Sequence, residues 1–518
     1  MRLYFHCHLS LPSLILLHRI LLYYPSNIIP PGMDGSGYCK CGFCVIITAF
    51  DYLAGDAKWK RQKLCQEIKE LQSTSGTVQQ PSKDMSYSPI SWLPRDVFAE
   101  IFVQCLPEVI LWPRLSGLGH STRNVAPLLL CNVCSSWRAL ALSTPRLWQD
   151  LSLTFTKTMP KSKSKEETIA MTHVWIKRSG ELPLTLRLRI YLDGDFQALC
   201  QALVNAITSY TSRWEHVAFD FADSPISLPP LGNMPCLRTF TMLVLKDTQF
   251  PFASCPKLAS IFWASSHTLS LAPLPWHQLI RIHLTPPLPT RELLFIIQSC
   301  SKLTDFRVAL RDDVHESLPY EMVINKSLRE LQLHVHDICN PLLERLTLPA
   351  LIDISFDFTR TEVIPVPGFQ EELLRFFSRS KYKLKQFVLD DCGFEDVELL
   401  ECLKHDSCAS LMDLRISNMQ DTPMFTDAVL IPLTDIPSAE NNVLLPKLKH
   451  LSLDLCLDGS PSRLGTMILS RRIPFHKQDQ LQYLDIQYTE LDERDIYLLQ
   501  LAESLGLDVT LDVEESIF

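Results

Sequence analysis

The sequence predicts a mixed chain, α+β to α/β: a small helical domain near the N-terminus, then an irregular α/β solenoid. Three observations carry this. Two short segments between residues 89 and 150 place apolar residues at helical spacing and are bounded by prolines. From residue 212 an apolar triplet recurs eleven times, at strand spacing. The stretches between many of those triplets have the length and pattern of short helices.

The first helix opens at Leu93-Pro94, where a first-turn proline forfeits no helical hydrogen bond. Val97, Ile101 and Leu106 recur near helical spacing with Phe98 and Phe102 beside them, and Pro107 closes the segment. The second helix opens at Pro127. Leu130, Val133, Cys134, Trp137, Leu140 and Ala141 then fall at offsets 0, 3, 4, 7, 10 and 11, one stripe of a single helix. Pro145 is expected to stop it, with Leu147 and Trp148 as a last apolar pair.

These residues resemble the F-box, the segment by which substrate receptors dock onto the Skp adaptor of cullin-type ubiquitin ligases. The matching features are Leu93-Pro94, the Val-Cys-x-x-Trp-Arg run at Val133, Cys134, Trp137 and Arg138, and the Thr-Pro-Arg-Leu-Trp ending from Thr144 to Trp148. They are most similar to the F-box-like proteins abundant in mushroom-forming fungi. The resemblance implies that Leu93, Pro94, Val97, Ile101, Phe102, Leu130, Val133, Cys134, Trp137, Leu140, Pro145 and Trp148 carry adaptor docking or the small core beneath it. It does not divide the two roles. One departure is the long loop from Pro107 to Ala126.

Composition sets bounds. At 518 residues the chain has room for several domains. A net charge of −9 offers no basic field for nucleic acid. Proline is frequent (35) and glycine scarce (16), which suits many short elements ended by rigid turns. Cysteines such as Cys105, Cys131 and Cys134 sit on apolar stripes, as free thiols of a reducing cytoplasm or nucleus do.

Residues 1–52 read as a leader, disordered or misassigned, with Met33 as an alternative start. Their apolar run from Leu9 to Tyr24 is broken by Pro12, His18 and Arg19, too short and interrupted for a membrane span and a poor signal peptide. Cys39, Cys41 and Cys44 lack a fourth ligand at a familiar zinc spacing, so no metal is expected. Residues 53–72 form a short charged helix and 73–88 a polar linker. The F-box-like domain covers 89–153. A connecting region follows at 154–211, with a basic loop at Lys157–Lys165, a helix at Glu166–Ser179 and a strand in which Leu184, Leu186, Leu188 and Ile190 alternate with polar residues.

The array occupies 212–518. Its unit is an apolar residue, another three on, and another two after that. The copies are Trp214-Val217-Phe219, Leu237-Phe240-Met242, Leu258-Ile261-Trp263, Leu279-Ile282-Leu284, Leu303-Phe306-Val308, Leu328-Leu331-Leu333, Leu351-Ile354-Phe356, Leu384-Phe387-Leu389, Leu411-Leu414-Ile416, Leu448-Leu451-Leu453 and Leu481-Leu484-Ile486. Successive starts lie 21 to 37 residues apart. Each unit gives a strand whose last two apolar residues share a side. Helices are expected at Arg291–Cys300, Glu371–Ser380, Asp396–His405, Gly465–Arg471 and Arg494–Ser504. No unit buries its face alone, so stacked units must share a core. The pattern resembles a degenerate leucine-rich-repeat array. Of the positions eight residues after each first apolar residue, where that family carries Asn or Cys, only Cys392 and Cys456 conform.

Catalytic motifs are missing. Gly35-Ser36-Gly37 and Gly117-Leu118-Gly119 lack the rest of any phosphate-cradling motif, and no nucleophile elbow, zincin or kinase signature occurs. His334, His336 and Asp337 read as solvated groups at a strand end. No enzyme activity, cofactor, metal, nucleic acid or membrane is expected.

The strand residues between core positions are instead the candidate binding surface. From the fifth copy on they include Asp305, Arg307, Glu330, Gln332, Asp353, Asp357, Asp390, Asp413, Arg415, Asp454, Tyr483 and Asp485, with eight acids against two bases. In the second and third copies Thr239, Thr241, Leu243, Ser260, Phe262 and Ala264 stand there, uncharged. The expectation is an acidic concave face that selects a basic client segment. The chain would then be a receptor that docks a Skp adaptor, through it a cullin, and presents an unknown client protein. The competing reading is a leucine-rich-repeat interaction scaffold outside any ligase.

Overall fold

The computed structural model describes residues 93–106, 126–156, 165–191 and most of 197–512. The leader, the helix expected at 53–72, the linker, the loop from Pro107 to Val125 and the basic stretch 157–164 lie outside the described residues. The chain divides into two compact units, Met1–Thr154 with Lys161–Thr185, and Phe155–Pro160 with Leu186–Phe518.

The first unit is helical at its centre. Helix α1 (Arg95–Gln104) begins one residue later than expected. Pro94 is its N-cap, and the Pro94 carbonyl accepts the first bond from Phe98 N–H at 3.0 Å. The expected second helix is two helices. Helix α2 (Leu128–Cys131) ends at Asn132, and α3 (Ser135–Leu142) starts after Cys134, whose backbone is extended (φ −156°, ψ 174°). The break is stabilised by its own sequence. Cys134 Sγ accepts the orphan N–H of Trp137 at 3.5 Å, and Arg138 Nε donates to the freed Cys131 carbonyl at 2.8 Å. Pro145 does not stop the helix. Ser143 and Thr144 close α3 by donating their hydroxyls to Leu140 O, and Pro145 opens the 3-10 turn Pro145–Trp148.

Phe102, Leu130, Cys131, Leu140, Ala141, Leu147 and Trp148 form the core of this unit. Phe98, Phe102 and Trp137 make an aromatic triangle with centroids 4.7 to 5.3 Å apart. Helix α4 (Lys165–Arg178), expected at 166–179, lays Trp175 edge-on to Trp148 at 4.8 Å.

The second unit is a long parallel sheet backed by helices. Its strands lie side by side in chain order. They are β1 (Leu184–Tyr191), β2 (Trp214–Phe221), β3 (Thr239–Val244), β4 (Ser260–Ser265), β5 (Arg281–Pro289), β6 (Asp305–Arg311), β7 (Glu330–Val335), β8 (Asp353–Asp357), β9 (Gln386–Asp390), β10 (Asp413–Ser417), β11 (His450–Asp454), β12 (Tyr483–Gln487) and β13 (Asp508–Asp512). From β2 onward each strand pairs in parallel with the next. Strands β2 to β12 are the eleven copies, and every residue of the eleven triplets is buried. Register explains this. Phe306, Leu331, Ile354, Phe387, Leu414, Leu451 and Leu484 stand in one row, and Val308, Leu333, Phe356, Leu389, Ile416, Leu453 and Ile486 in the next. Each such side chain contributes about 1.5–3 kcal/mol by leaving water, available only with the neighbouring copy in place.

The return segments also follow the pattern. Helices run over Thr290–Ser299 (α5), Phe369–Ser380 (α6), Asp396–Lys404 (α7), Arg463–Ser470 (α8) and Glu493–Ser504 (α9), each within two residues of expectation at both ends. In α6, Phe369, Leu373, Phe376, Phe377 and Ser380 are buried at offsets 0, 4, 7, 8 and 11. Gly368, at φ 70°, turns the chain into that helix in a conformation that favours glycine. Shorter helices at Asn340–Glu344 and Asp427–Leu433 were not expected. Neither was β13, where Gly506, at φ 90°, replaces the first apolar residue of the triplet Gly506-Val509-Leu511.

Cys392 and Cys456 both lie inside the array. Cys456 is buried and its Sγ donates to Ile416 O at 3.4 Å, and Cys392 is buried likewise. Elsewhere other side chains stitch the turns. Asn325, 4% exposed, donates to Ile297 O and Cys300 O and accepts from Ser327 and Leu328 N–H. All described cysteines are free thiols, and Cys134 is exposed rather than on a buried stripe. No described helix is long and apolar enough to cross a membrane.

Candidate functional site

The half-buried face of the sheet is ordered by register into three rows. The first reads Asp305, Glu330, Asp353, Gln386, Asp413, His450 and Tyr483. The second reads Arg307, Gln332, Ser355, Val388, Arg415, Ser452 and Asp485. The third reads His334, Asp357, Asp390, Ser417, Asp454 and Gln487. Carboxylates thus dominate the outer rows, and the middle row holds mostly uncharged groups. Parallel pairing without slippage between β6 and β12 makes this possible, because a one-residue shift would send each side chain to the other face.

A groove of about 470 Å³ lies over this face. Asp305, Glu330, Asp353, Asp390 and Asp454, all expected, line it. Asp357, Asp413, Tyr483 and Asp485 are on the same rows but outside the groove wall. Gln386, Ser355, Val388, Ser417, Ser452 and Gln487 also line it and were missed. The signal existed, since they occupy the same offsets in the repeat. Their lack of charge concealed them.

The local cations are spent within the face. Arg307 pairs with Asp305 at 3.2 Å and Glu330 at 3.8 Å, and Arg415 with Asp413 at 2.9 Å. His450 stands 3.6 Å from Asp413. His334, expected to be solvated, is half-buried and bonds Asp357 at 2.6 Å. His336 is also half-buried. Asp454 accepts from Ser417 Oγ, and Asp485 from Ser452 Oγ, each at 3.3 Å. The carboxylates of Asp353 and Asp390 have no hydrogen-bond or ion-pair partner among the described residues.

Electrostatics reflect that imbalance. Burial pushes the Asp390 carboxyl up to about 6, assisted by Asp357, Asp391 and Asp454 and opposed by His334. Burial, with neighbouring acids, also raises Glu330, Asp353 and Asp454. The uncharged character expected of the earlier copies holds in part. Phe262 is buried with its ring 4.3 Å from that of His283, and burial pushes His283 down to about 4, so it is neutral at pH 7.

The raised Asp390 value fixes a sign. An unfolded aspartate ionises near 4, while the folded one holds its proton to about 6, so the folded state is penalised increasingly as pH rises between those values. Asp390→Asn is therefore expected to stabilise the protein at pH 7.5, by on the order of 2 kcal/mol. The gain should fade toward pH 4. Thermal denaturation at the two pH values checks it, and an equal gain at both would refute the electrostatic cause.

In the first unit the structure separates residues that the sequence left together. Phe102, Leu130, Leu140 and Trp148 are core, and Trp137 packs against them. Leu93, Pro94, Val97 and Ile101 are not part of that cluster, and Pro94 and Pro145 are exposed. Val133, 54% exposed, and Cys134 leave the expected buried stripe because the helix break turns them outward.

No group of His, Cys, Asp or Glu among the described residues is arranged to hold a metal ion. No protein-family model matches the chain, and no curated protein does. Among solved structures it is similar to a protein of Bacteroides fragilis determined by structural genomics, at 11% identity and a TM-score of 0.26, covering 68% of this chain and 73% of that one. The class defined by fold and face together is a mixed helix and strand protein with a long parallel sheet, solenoid-like, bearing an acidic groove on its half-buried face.

Proposed function

We propose that this chain is the substrate-recognition adaptor of a Skp-cullin-F-box type ubiquitin ligase. The first unit is an F-box-like domain that docks the Skp adaptor. The second is a degenerate leucine-rich-repeat array whose half-buried face holds a client protein. Ubiquitin transfer belongs to partner subunits, so the chain itself needs no cofactor.

The observation that supports this best is the division of the F-box-like residues. A docking domain needs apolar side chains outside its own core, and Leu93, Val97, Ile101 and the exposed Val133 fit that requirement. Phe102, Leu130, Leu140 and Trp148 would hold the scaffold that presents them. The groove on the array supports the second half, since repeat arrays use such faces for partners.

Co-purification tests the reading. The intact chain should retain a Skp-family adaptor, and the double variant Leu93→Ala with Pro94→Ala should lose it. Val133→Asp should also weaken docking while leaving the melting temperature unchanged, because the side chain is already exposed. A chain that never retains the adaptor would favour the alternative, an interaction scaffold outside any ligase.

A further inference from the structure

We propose that the groove over β7, β8 and β9 receives an extended protein segment carrying two cationic side chains four residues apart, with a small uncharged residue midway between them. This rests on the reading of the array face as the client site, and it specifies the client's chemistry.

The three rows set the spacing. Residues two apart on a strand lie roughly 6.7 Å apart, so the outer rows are separated by about 13 Å. On β7 to β9 the first row offers Glu330, Asp353 and Gln386, the middle row Gln332, Ser355 and Val388, and the third His334, Asp357 and Asp390. The face is thus acidic, neutral and acidic in turn. On the strands either side of β7 to β9 the middle row carries Arg307 and Arg415, each paired with an aspartate two residues away on its own strand.

The two carboxylates without partners stand on opposite outer rows, Asp353 on β8 and Asp390 on β9. Lys385 acts on Asp353 through space but is exposed and precedes its strand. A segment running along the strands would bring one cation to each. Its intervening side chain on that face would sit over Ser355 and Val388, where bulk or charge would be excluded.

The extended conformation follows from spacing. In a helix, residues four apart are only about 6 Å from each other. Spanning 13 Å would take about nine helical residues at 1.5 Å each. An extended segment spans the distance in five residues, and Gln332 and Ser355 offer polar partners to its backbone.

Occupancy has a protonic signature. Asp390 is surrounded by Asp357 and His334 on the third row, Asp391 beside it, Asp454 on β11 and Arg415 on the middle row. A cation docked there favours the ionised form, so binding near pH 6 should release a proton from Asp390, and binding at pH 8 should release almost none.

The test uses the full chain and two labelled peptides of identical composition, Arg-Ser-Ala-Ser-Arg and Arg-Ser-Arg-Ser-Ala. Fluorescence anisotropy at low salt should show the first binding more tightly by roughly threefold. The preference should disappear with Asp353→Asn combined with Asp390→Asn, and in 0.5 M salt, on the order of which the Debye length shrinks below 5 Å. Calorimetry in two buffers of different ionisation heat reads the proton release. Equal affinity for both peptides, no binding of either, or a preference that survives the double variant would overturn the proposal. The spacing comparison is made on the unaltered protein, so it does not depend on the variant folding. Adaptor co-purification is a separate readout. Its loss would remove the ligase reading alone, and its persistence with equal peptide affinities would remove only the two-cation rule.

Discussion

Replacing Arg471 with methionine is expected to destabilise the repeat array by about 3 kcal/mol. Arg471 follows α8 and is only 7% exposed. Its guanidinium donates from Nε to Leu433 O at 2.7 Å, from Nη1 to Leu445 O at 2.9 Å, and from Nη2 to Leu444 O. It therefore ties the end of one return helix to a turn two segments away, where Leu445 adopts φ 52°. Burial lowers its pKa to about 10, which leaves it charged at any physiological pH. Methionine keeps much of the volume but leaves three carbonyls without donors. Lysine is expected to recover less than half, because one ammonium cannot reach the three carbonyls of a planar fork. Urea denaturation followed by circular dichroism measures both. A midpoint unchanged in the methionine variant would mean that water reaches those carbonyls.

Trp148→Ala is expected to cost about 4 kcal/mol in the first unit and, on the proposed reading of that unit, to abolish adaptor docking without altering the docking surface itself. The side chain is fully buried. Its Nε1–H donates to Ala141 O at 2.9 Å, Trp175 meets it edge-on at 4.8 Å, and the Arg178 guanidinium lies 4.5 Å over the ring. Removing it empties the centre of the cluster on which Leu140 and Leu147 rest. Phenylalanine should restore most of the packing but not the hydrogen bond, for a loss of about 1–2 kcal/mol. Limited proteolysis of the full chain, with cleavage followed between residues 93 and 178, reports the effect. Docking that survives in the alanine variant would detach the interface from this core.

The array was legible because its repeat and its geometry share one period. A triplet of apolar residues at offsets 0, 3 and 5 specifies a strand with a buried side. Eleven copies leave few other ways to bury them. Helix α6 was legible for the same reason, from Leu373, Phe376 and Phe377. The failures are equally specific. Strand β13 was missed because Gly506 stands where the pattern needs an apolar residue. The break at Cys134 was missed because Leu130, Val133, Cys134 and Trp137 keep helical spacing across it. Spacing is blind to the Cys134 and Arg138 hydrogen bonds that favour two helices.

The acidic face was half legible. Its carboxylates could be counted along the chain. Which of them share a groove, and which are held by His334, His450 or Ser417, depends on strands separated by 23 to 37 residues in sequence. Arg471 and Asn325 gave no signal at all, because their partners are backbone carbonyls that no residue type marks.

The sequence alone determined that this protein would stack short strands in the stretch of chain that follows a small helical domain, since hydrophobic periodicity is local and survives without knowledge of neighbours. Only the tertiary structure decided which apolar residues of the first unit lie outside its core, which carboxylates lack partners and how far apart they stand. Those properties arise from desolvation and charge at contacts between distant segments, and they exist only once register has set the rows side by side.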